Sequence, residues 1–454
     1  MTGGAAVRCE VVVVGLGSWG AQALWRLAER GVDAVGVERY ELGHTFGAAH
    51  GVTRLFRVAC LEHPGLAAVA RRSAELWRTL GALDRTELLR TTGGVMIGPR
   101  ESQVVAGTLA AAEAGGIDVE VLDAAGLAAR YPAFAGLDDA DIGVVDPLAG
   151  LTFPELGTAA AIRAARGLGA RVLDGVRVVA VEGAAAPAGT GGHRRAAAAG
   201  ATGATGGALR VVLAGGTELR CDRVIVCAGA WTRRLVDVPL QPRRVPLSWF
   251  GAASGAAGAA GHSPASTAGG ASGAADATPA GAEPAASTAG SASDQSPTGA
   301  GGDLHLDRLP AFVRQLPDSH ALWGHGGDDA AGFAVKIGLD DRGDVFGDAD
   351  PEHLDRAIHP DRDTGLLSAE VARWFRGIDP RPLSTVPCMY TTSPDHLFLL
   401  GAAPGRPGVY LAAGDSGHGY KHATAVGDAL AALARGDDPG LDLGFLDPAR
   451  PSLR

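Results

Sequence analysis

CEVVVVGLGSWGAQALWRLAERGVDAVGVE, residues Cys9 to Glu38, carries in one short stretch a strand, a glycine turn, a helix and a second strand that ends in an acid. The run from Val11 to Val14 is β-branched throughout, as suits a parallel strand buried on both faces. Gly15, Gly17 and Gly20 follow in the G-x-G-x-x-G register. The first glycine permits a tight turn, the second lets backbone approach a pyrophosphate, and the third lets a helix, expected over Ser18 to Arg30, pack close to the strand. A phosphate then meets the positive end of that helix. Gly31 stops the helix, Ala34 to Val37 supplies the next strand, and Glu38 arrives where an acid hydrogen-bonds a ribose 2′-OH and disfavours a 2′-phosphate. The stretch reads as a dinucleotide-binding unit, which NAD and FAD satisfy equally.

The chain has 454 residues, too many for one compact core of usual size, so two domains are expected. Hydrophobic residues make up 46%, but much of that is alanine in Gly/Ala-rich segments, so the folded part is smaller than the length suggests. The 40 basic and 50 acidic residues give a net charge of −10, which argues against nucleic acid and anionic membranes and for a small-molecule partner. Cys9, Cys60, Cys221, Cys227 and Cys388 lack C-x-x-C spacing, so neither a metal site nor a disulfide framework is expected, and a reducing cytoplasm fits. Val11 to Val14 is too short, and too soon broken by glycine, to be a signal or membrane segment.

Beyond Glu38, RYELGHTFGAAHGVTRLFRVAC leads to Arg54 and Arg57, whose spacing puts both guanidinium groups on one face if the segment is helical. Leu66 to Leu80 has helical period, with Leu76, Trp77 and Leu80 as core; Leu89 to Ile97 reads as a strand, and Ala106 to Ala129 mixes helix and strand patterns. Glu155 to Leu168 is an amphipathic helix, followed by strands at Ala170 to Leu173 and Val176 to Glu182. Gly183 to Gly207, dominated by Ala, Gly and Thr, reads as a flexible hairpin extension. Strand signals resume at Leu209 to Leu213, and Cys221 to Leu235 is a buried strand, a glycine and a helix start. Gly251 to Gly302 has too few large apolar groups to offset its ordering entropy. It is expected to be a disordered insertion inside one domain, because Val245 to Phe250 and Leu309 to Leu322 read as continuous domain material. A strand over Gly332 to Gly338 and a helix near Ser368 to Phe375 precede the C-terminal block, Val386 to Ala434. That block holds CMYTTSPDHLFLL, a GDSGHG turn and a final helix over His422 to Leu433. A glycine-rich turn opening a helix offers N–H groups to an anion or a flavin carbonyl.

With Gly15, Gly17, Gly20 and Glu38 at one end and CMYTTSPDHLFLL plus GDSGHGYK at the other, the chain resembles the monomeric sarcosine oxidase and N-methyltryptophan oxidase family, within the D-amino-acid-oxidase-like flavoproteins. The resemblance covers most of the chain outside the two low-complexity tracts and decides FAD over NAD. It implies an α/β fold in which a Rossmann-like FAD-binding domain (1–85, 150–236 and 376–454) is interleaved with an α+β substrate domain built on a mixed sheet (86–149 and 237–375). It also implies a thioether from Cys388 to the flavin, which fixes the ring and raises its redox potential. Candidate cofactor contacts are Gly15, Gly17, Ser18, Trp19 and Gly20 in the first turn, Glu38 and Arg39 after the second strand, and Thr53 beside the ring. Val178, Ala228, Gly229 and Trp231 are candidates in the middle segments, and Gly414, Ser416, Gly417, His418, Gly419 and Lys421 around the last turn.

By the same resemblance Arg57 and Lys421 pair with the substrate carboxylate, as two cations reaching a buried anion should. Arg54, with His50, sits beside the ring, where a cation favours an anionic reduced flavin, and Lys336 stands above flavin N5 to activate oxygen. Two departures bear on the substrate. Where the sarcosine-type pattern has an imidazole shortly after the lysine, this chain has Asp340, and Trp323 replaces a pocket tyrosine. The expected function is therefore FAD-dependent oxidation of a secondary or cyclic amino acid to an imine, with O₂ reduced to hydrogen peroxide by a cytoplasmic monomer. The rival readings are a flavin dehydrogenase using another electron acceptor and a non-catalytic flavin-binding protein.

Overall fold

A computed structural model describes residues 7–183, 209–253, 302–340 and 345–454. Its first layer is a six-stranded sheet in the order Arg171–Leu173, Ala34–Val37, Val11–Val14, Arg223–Val226, Val409–Ala413 and Leu399–Ala402. All neighbours are parallel except the last pair. The valine run explains its own position. Val11 and Val13 face a core shared with the helices, whereas Val12 and Val14 face a second core under a small four-stranded sheet, so a strand with no polar side would be expected here. Helices Ser18–Glu29, Pro154–Gly167 and Ala423–Arg435 cover the first face.

The glycine turn is required sterically. Gly15 has φ +88°, and a Cβ there would lie 2.5 Å from Cys227 O; a Cβ on Gly20 would lie 1.8 Å from Gly15 O. Gly17 meets nothing within 4 Å, leaving the start of helix Ser18–Glu29 open to a ligand.

The second layer is an eight-stranded mixed sheet in the order Ile378–Thr392, Gln241–Ala252, Val335–Asp340, Ala321–Gly326, Ala311–Gln315, Gly94–Pro99, Asp141–Asp146 and Glu120–Leu122. Ile378–Thr392 pairs along nearly its whole length with Gln241–Ala252. The strand that carries Cys388 thus belongs to this sheet, and the sequence-based boundary at 376 moves to beyond Thr392. A three-stranded sheet of Arg54–Phe56, Gly150–Thr152 and Leu89–Thr91 joins the layers. Two expectations are corrected here. Arg54 lies on a strand, so the spacing of three separates it from Arg57 instead of aligning the pair. Leu89 to Ile97 is two strands in different sheets, broken at Gly93 with φ +72°.

Most of both low-complexity tracts, 184–208 and 254–301, lies outside the described residues. Their flanks are ordinary sheet: Gly183 is in register with Leu209 across an antiparallel pair, and Gln241–Ala252 shares a sheet with Ala311–Gln315 and Ala321–Gly326. Replacing 254–301 by a short Gly/Ser linker should leave the melting temperature and bound flavin of the purified protein unchanged; loss of either would assign the tract a structural task.

Candidate active site

A cavity of about 730 Å³ runs along the carboxyl ends of the parallel strands, the place where open α/β sheets bind ligands. Its walls include Gly15, Gly17, Ser18, Trp19, Glu38 and Arg39 from the first unit, Val178, Ala228, Gly229 and Trp231 from the middle segments, and Gly414 and Gly417 from the last turn. Arg54 also lines it. Gly20 is packing only, and Thr53, Ser416, His418, Gly419 and Lys421 lie behind or beside the wall.

Glu38 is fixed for recognition. Its Oε2 accepts from Leu16 N at 2.8 Å and its Oε1 from Tyr40 N at 3.1 Å, with His44 Nε2 at 3.3 Å. Burial pushes its carboxyl up, but the His44 and Leu16 hydrogen bonds prevail and hold it below the ordinary value. On the wall, Arg39 forms a two-pronged pair with Glu352, at 2.6 and 2.5 Å.

At the other end the two sheets meet around Lys336. Cross-strand register aligns Trp249 with Lys336 and Lys336 with His325, and side chains opposite one another share a face. Trp323, two residues before His325, and Cys388, in register with Val245, fall on the same face. Lys336 is 1% exposed, and its Nζ donates to Gly51 O at 2.5 Å, Thr53 O at 2.7 Å and Thr53 Oγ1 at 3.2 Å, with the Trp249 ring centre 5.3 Å away. Burial and then the Arg54 charge push its pKa well below the ordinary lysine value. The loop that supplies these oxygens is strained: Val52, a β-branched residue, has φ +68°, held by Gly51 N and Val52 N donating to Glu155 Oε1 at 2.6 and 3.1 Å.

Arg54 donates to Thr53 O at 2.8 Å and Ala48 O at 2.9 Å. His50 is buried and uncharged, its pKa lowered to about 3 by burial and by Arg54, and its Nε2 has no partner. The Cys388 thiol is pushed up by burial against the opposing pull of Arg54 and Lys336. Met389, Tyr390 and Thr391, directly after it, line the cavity. The GDSGHG turn is tied to this strand end: Ser416 N donates to Thr391 O at 2.8 Å, and Thr391 N donates to Asp415 Oδ1 at 3.0 Å. Asp415, missed by the motif reading, also lines the cavity, and burial raises its pKa to about 6.

Arg57 and Lys421 converge as expected, but on a third residue. Glu62 Oε1 lies 2.5 Å from Arg57 Nη2 and 3.4 Å from Lys421 Nζ. Burial disfavours the charges; the opposite charges overcome it for Glu62, held well below its usual range, and for Arg57, which is raised, while Lys421 remains lowered. Arg57 Nε and Nη1 are buried without a partner. Asp340 sits exposed at the end of its strand, opposite Ala321. Trp323 is half-buried and packs so closely on Gly338 that a Cβ there would lie 2.1 Å from the ring.

Glu62, Glu155, Trp249 and His325 belong to no motif. One signal was available. The chain has only two lysines, Lys336 and Lys421, and both are buried in this site.

The model of the family described as FAD dependent oxidoreductase matches residues 10–274 and 267–433. The chain belongs to that family. The monomeric sarcosine oxidase of Streptomyces avermitilis is 25% identical over 97% of each chain, and the N-methyl-L-tryptophan oxidase of Citrobacter koseri is 24% identical over 96% of this chain and 97% of its own. Among solved structures, the open form of NikD, an amino acid oxidase of nikkomycin biosynthesis, superposes with a TM-score of 0.70 at 19% identity over 98% of both chains, confirming the interleaved α/β fold. The glycine cradle, the open helix start and the fixed Glu38 fit FAD. No helix among the described residues is long and apolar enough to cross a membrane.

The Arg57–Glu62–Lys421 group yields a stability prediction. Arg57→Met leaves a buried carboxylate with one distant cation and should destabilise the apoprotein by about 3 kcal/mol in urea, while adding Glu62→Gln should recover most of that loss. Additive losses in the double variant would contradict the coupling.

Proposed function

We propose that the protein oxidises a secondary or cyclic amino acid with FAD as hydride acceptor and O₂ as the final oxidant. The observation that carries the substrate class is the pair of buried cations Arg57 and Lys421, with two Arg57 nitrogens left unsatisfied. Bound FAD supplies a ring that takes a hydride from the carbon beside an amine nitrogen and passes the electrons on to oxygen. Every other task falls to the protein. Arg57 offers Nε and Nη1 to the substrate carboxylate, and Lys421 balances the charge that Glu62 already brings. In this reading Arg57 and Lys421 form a carboxylate pole and Lys336 an oxygen pole. Trp249, whose ring centre lies 5.3 Å from Lys336 Nζ, packs with Leu247 and Trp323 in one apolar cluster. Small apolar N-substituents suit it.

Anaerobic mixing with N-methyl and cyclic amino acids should bleach the flavin, and admitted air should restore it with one hydrogen peroxide per substrate. Bleaching without air reoxidation would favour a dehydrogenase; no bleaching across the panel would favour a non-catalytic flavin protein.

Cys388 is the attachment point in this reading. Forming the thioether replaces the thiol S–H and one flavin C–H by a C–S bond, and O₂ takes the two electrons and two protons released. Acid precipitation should leave yellow flavin in the pellet of the native protein and in the supernatant of Cys388→Ala. Flavin free in both would remove the bond from the account.

Lys336 serves oxygen, because a fixed cation stabilises the anion formed when neutral O₂ takes an electron in a low-dielectric site, an effect worth several kcal/mol, about 3 or more. Lys336→Met should therefore slow reoxidation by at least about a hundredfold and far more than it slows anaerobic reduction. Equal losses in the two half-reactions would make the lysine a structural tie.

A further inference from the structure

His325 is 2% exposed, and both its ring nitrogens are engaged. Nδ1 lies 2.7 Å from Gly326 O, an oxygen that only accepts, so Nδ1 carries the ring proton and Nε2 is the acceptor. Nε2 lies 2.8 Å from Thr53 Oγ1. The hydroxyl must therefore give its hydrogen to His325, which leaves its lone pairs for Lys336 Nζ at 3.2 Å. An ammonium has three protons, and Lys336 meets three acceptors: Gly51 O, Thr53 O and this hydroxyl. A neutral amine has two protons and a lone pair. Within this set nothing donates to that lone pair, because the one available hydrogen is already committed to His325. We propose that His325 is a positioning residue that, acting through Thr53, holds Lys336 in its ammonium form.

The surroundings make that bond decisive. Burial and the Arg54 charge oppose the ammonium, while Glu155 favours it. His50 and His325 are both kept neutral, each with a pKa lowered to about 3 by burial first. Among the described residues the atoms that accept from Nζ are neutral oxygens, so the hydrogen bonds, with no touching carboxylate, must retain the third proton.

The inference deepens the reading of Lys336 as the group that serves oxygen, and its test separates the two. Because the chain has only two lysines, holoenzyme labelled with [ε-¹³C]lysine gives two side-chain signals, which a Lys336→Met sample assigns. His325→Phe should lower the Lys336 titration midpoint by about one unit. His325→Gln, whose amide accepts from Thr53 and donates to Gly326 O, should restore it. Thr53→Val reads the same link if the phenylalanine variant does not fold. A midpoint unmoved in both His325→Phe and Thr53→Val, or moved as far by glutamine as by phenylalanine, overturns the proposal. If the midpoint falls while the pH profile of air reoxidation stays that of the wild type, the proposal stands and the oxygen role of Lys336 fails.

Discussion

A buried lysine with no carboxylate against it is the constraint around which the two layers of this protein are arranged. Lys336 comes from the eight-stranded sheet, and the oxygens that receive its protons come from a loop that follows the dinucleotide-binding unit. The contact therefore fixes where one layer sits against the other beside the candidate site. It is costly in isolation, since burial disfavours the charge. Strain at Val52 and the grip of Glu155 on two loop N–H groups are the local means by which the loop keeps its carbonyls aimed at the lysine.

A second buried charge group answers the first. Arg57, Glu62 and Lys421 form a set in which an internal carboxylate already partners both cations, so the substrate carboxylate proposed for this site would meet a preorganised but partly satisfied group. Such a site gains selectivity over neutral ligands, because a ligand without the charge leaves the remaining arginine donors unpaired. Trp249, Trp323 and Leu247 add an apolar cluster on the sheet face that carries Lys336.

The sequence carried the first layer almost completely, because its signals are local: a four-valine strand, three glycines at fixed offsets, an acid after the second strand. Steric numbers at Gly15 and Gly20 show why no other residue would do. The candidate site could be sought in the sequence where a motif names a residue, as for Cys388, Lys336 and Lys421, all three of them buried. It was illegible where sheet register makes the contact. Nothing near His325 in the chain points to Lys336, and only the antiparallel pairing of Ala321–Gly326 with Val335–Asp340 brings them together. Glu62 was hidden in the same way, as an ordinary acid five residues from Arg57. Arg54 and Arg57 misled by spacing, since three residues mean alignment on a helix and divergence on a strand. The lysine count was the overlooked cue: in a chain that otherwise uses arginine for every basic residue, both lysines are buried at the candidate site.

The central claim is that substrate is held by its carboxylate at one pole so that its amine-bearing carbon meets the flavin at the other. Anaerobic stopped-flow reduction by an oxidised substrate and by its carboxamide, in wild type and in Arg57→Met, tests it most directly. The account predicts that the wild-type enzyme prefers the acid by at least about tenfold in apparent affinity, as expected for a charge-assisted pair worth 1.4 kcal/mol or more, and that Arg57→Met loses most of that preference. An acid and amide that reduce the flavin equally well in the wild type, or a preference that survives in Arg57→Met, would contradict it.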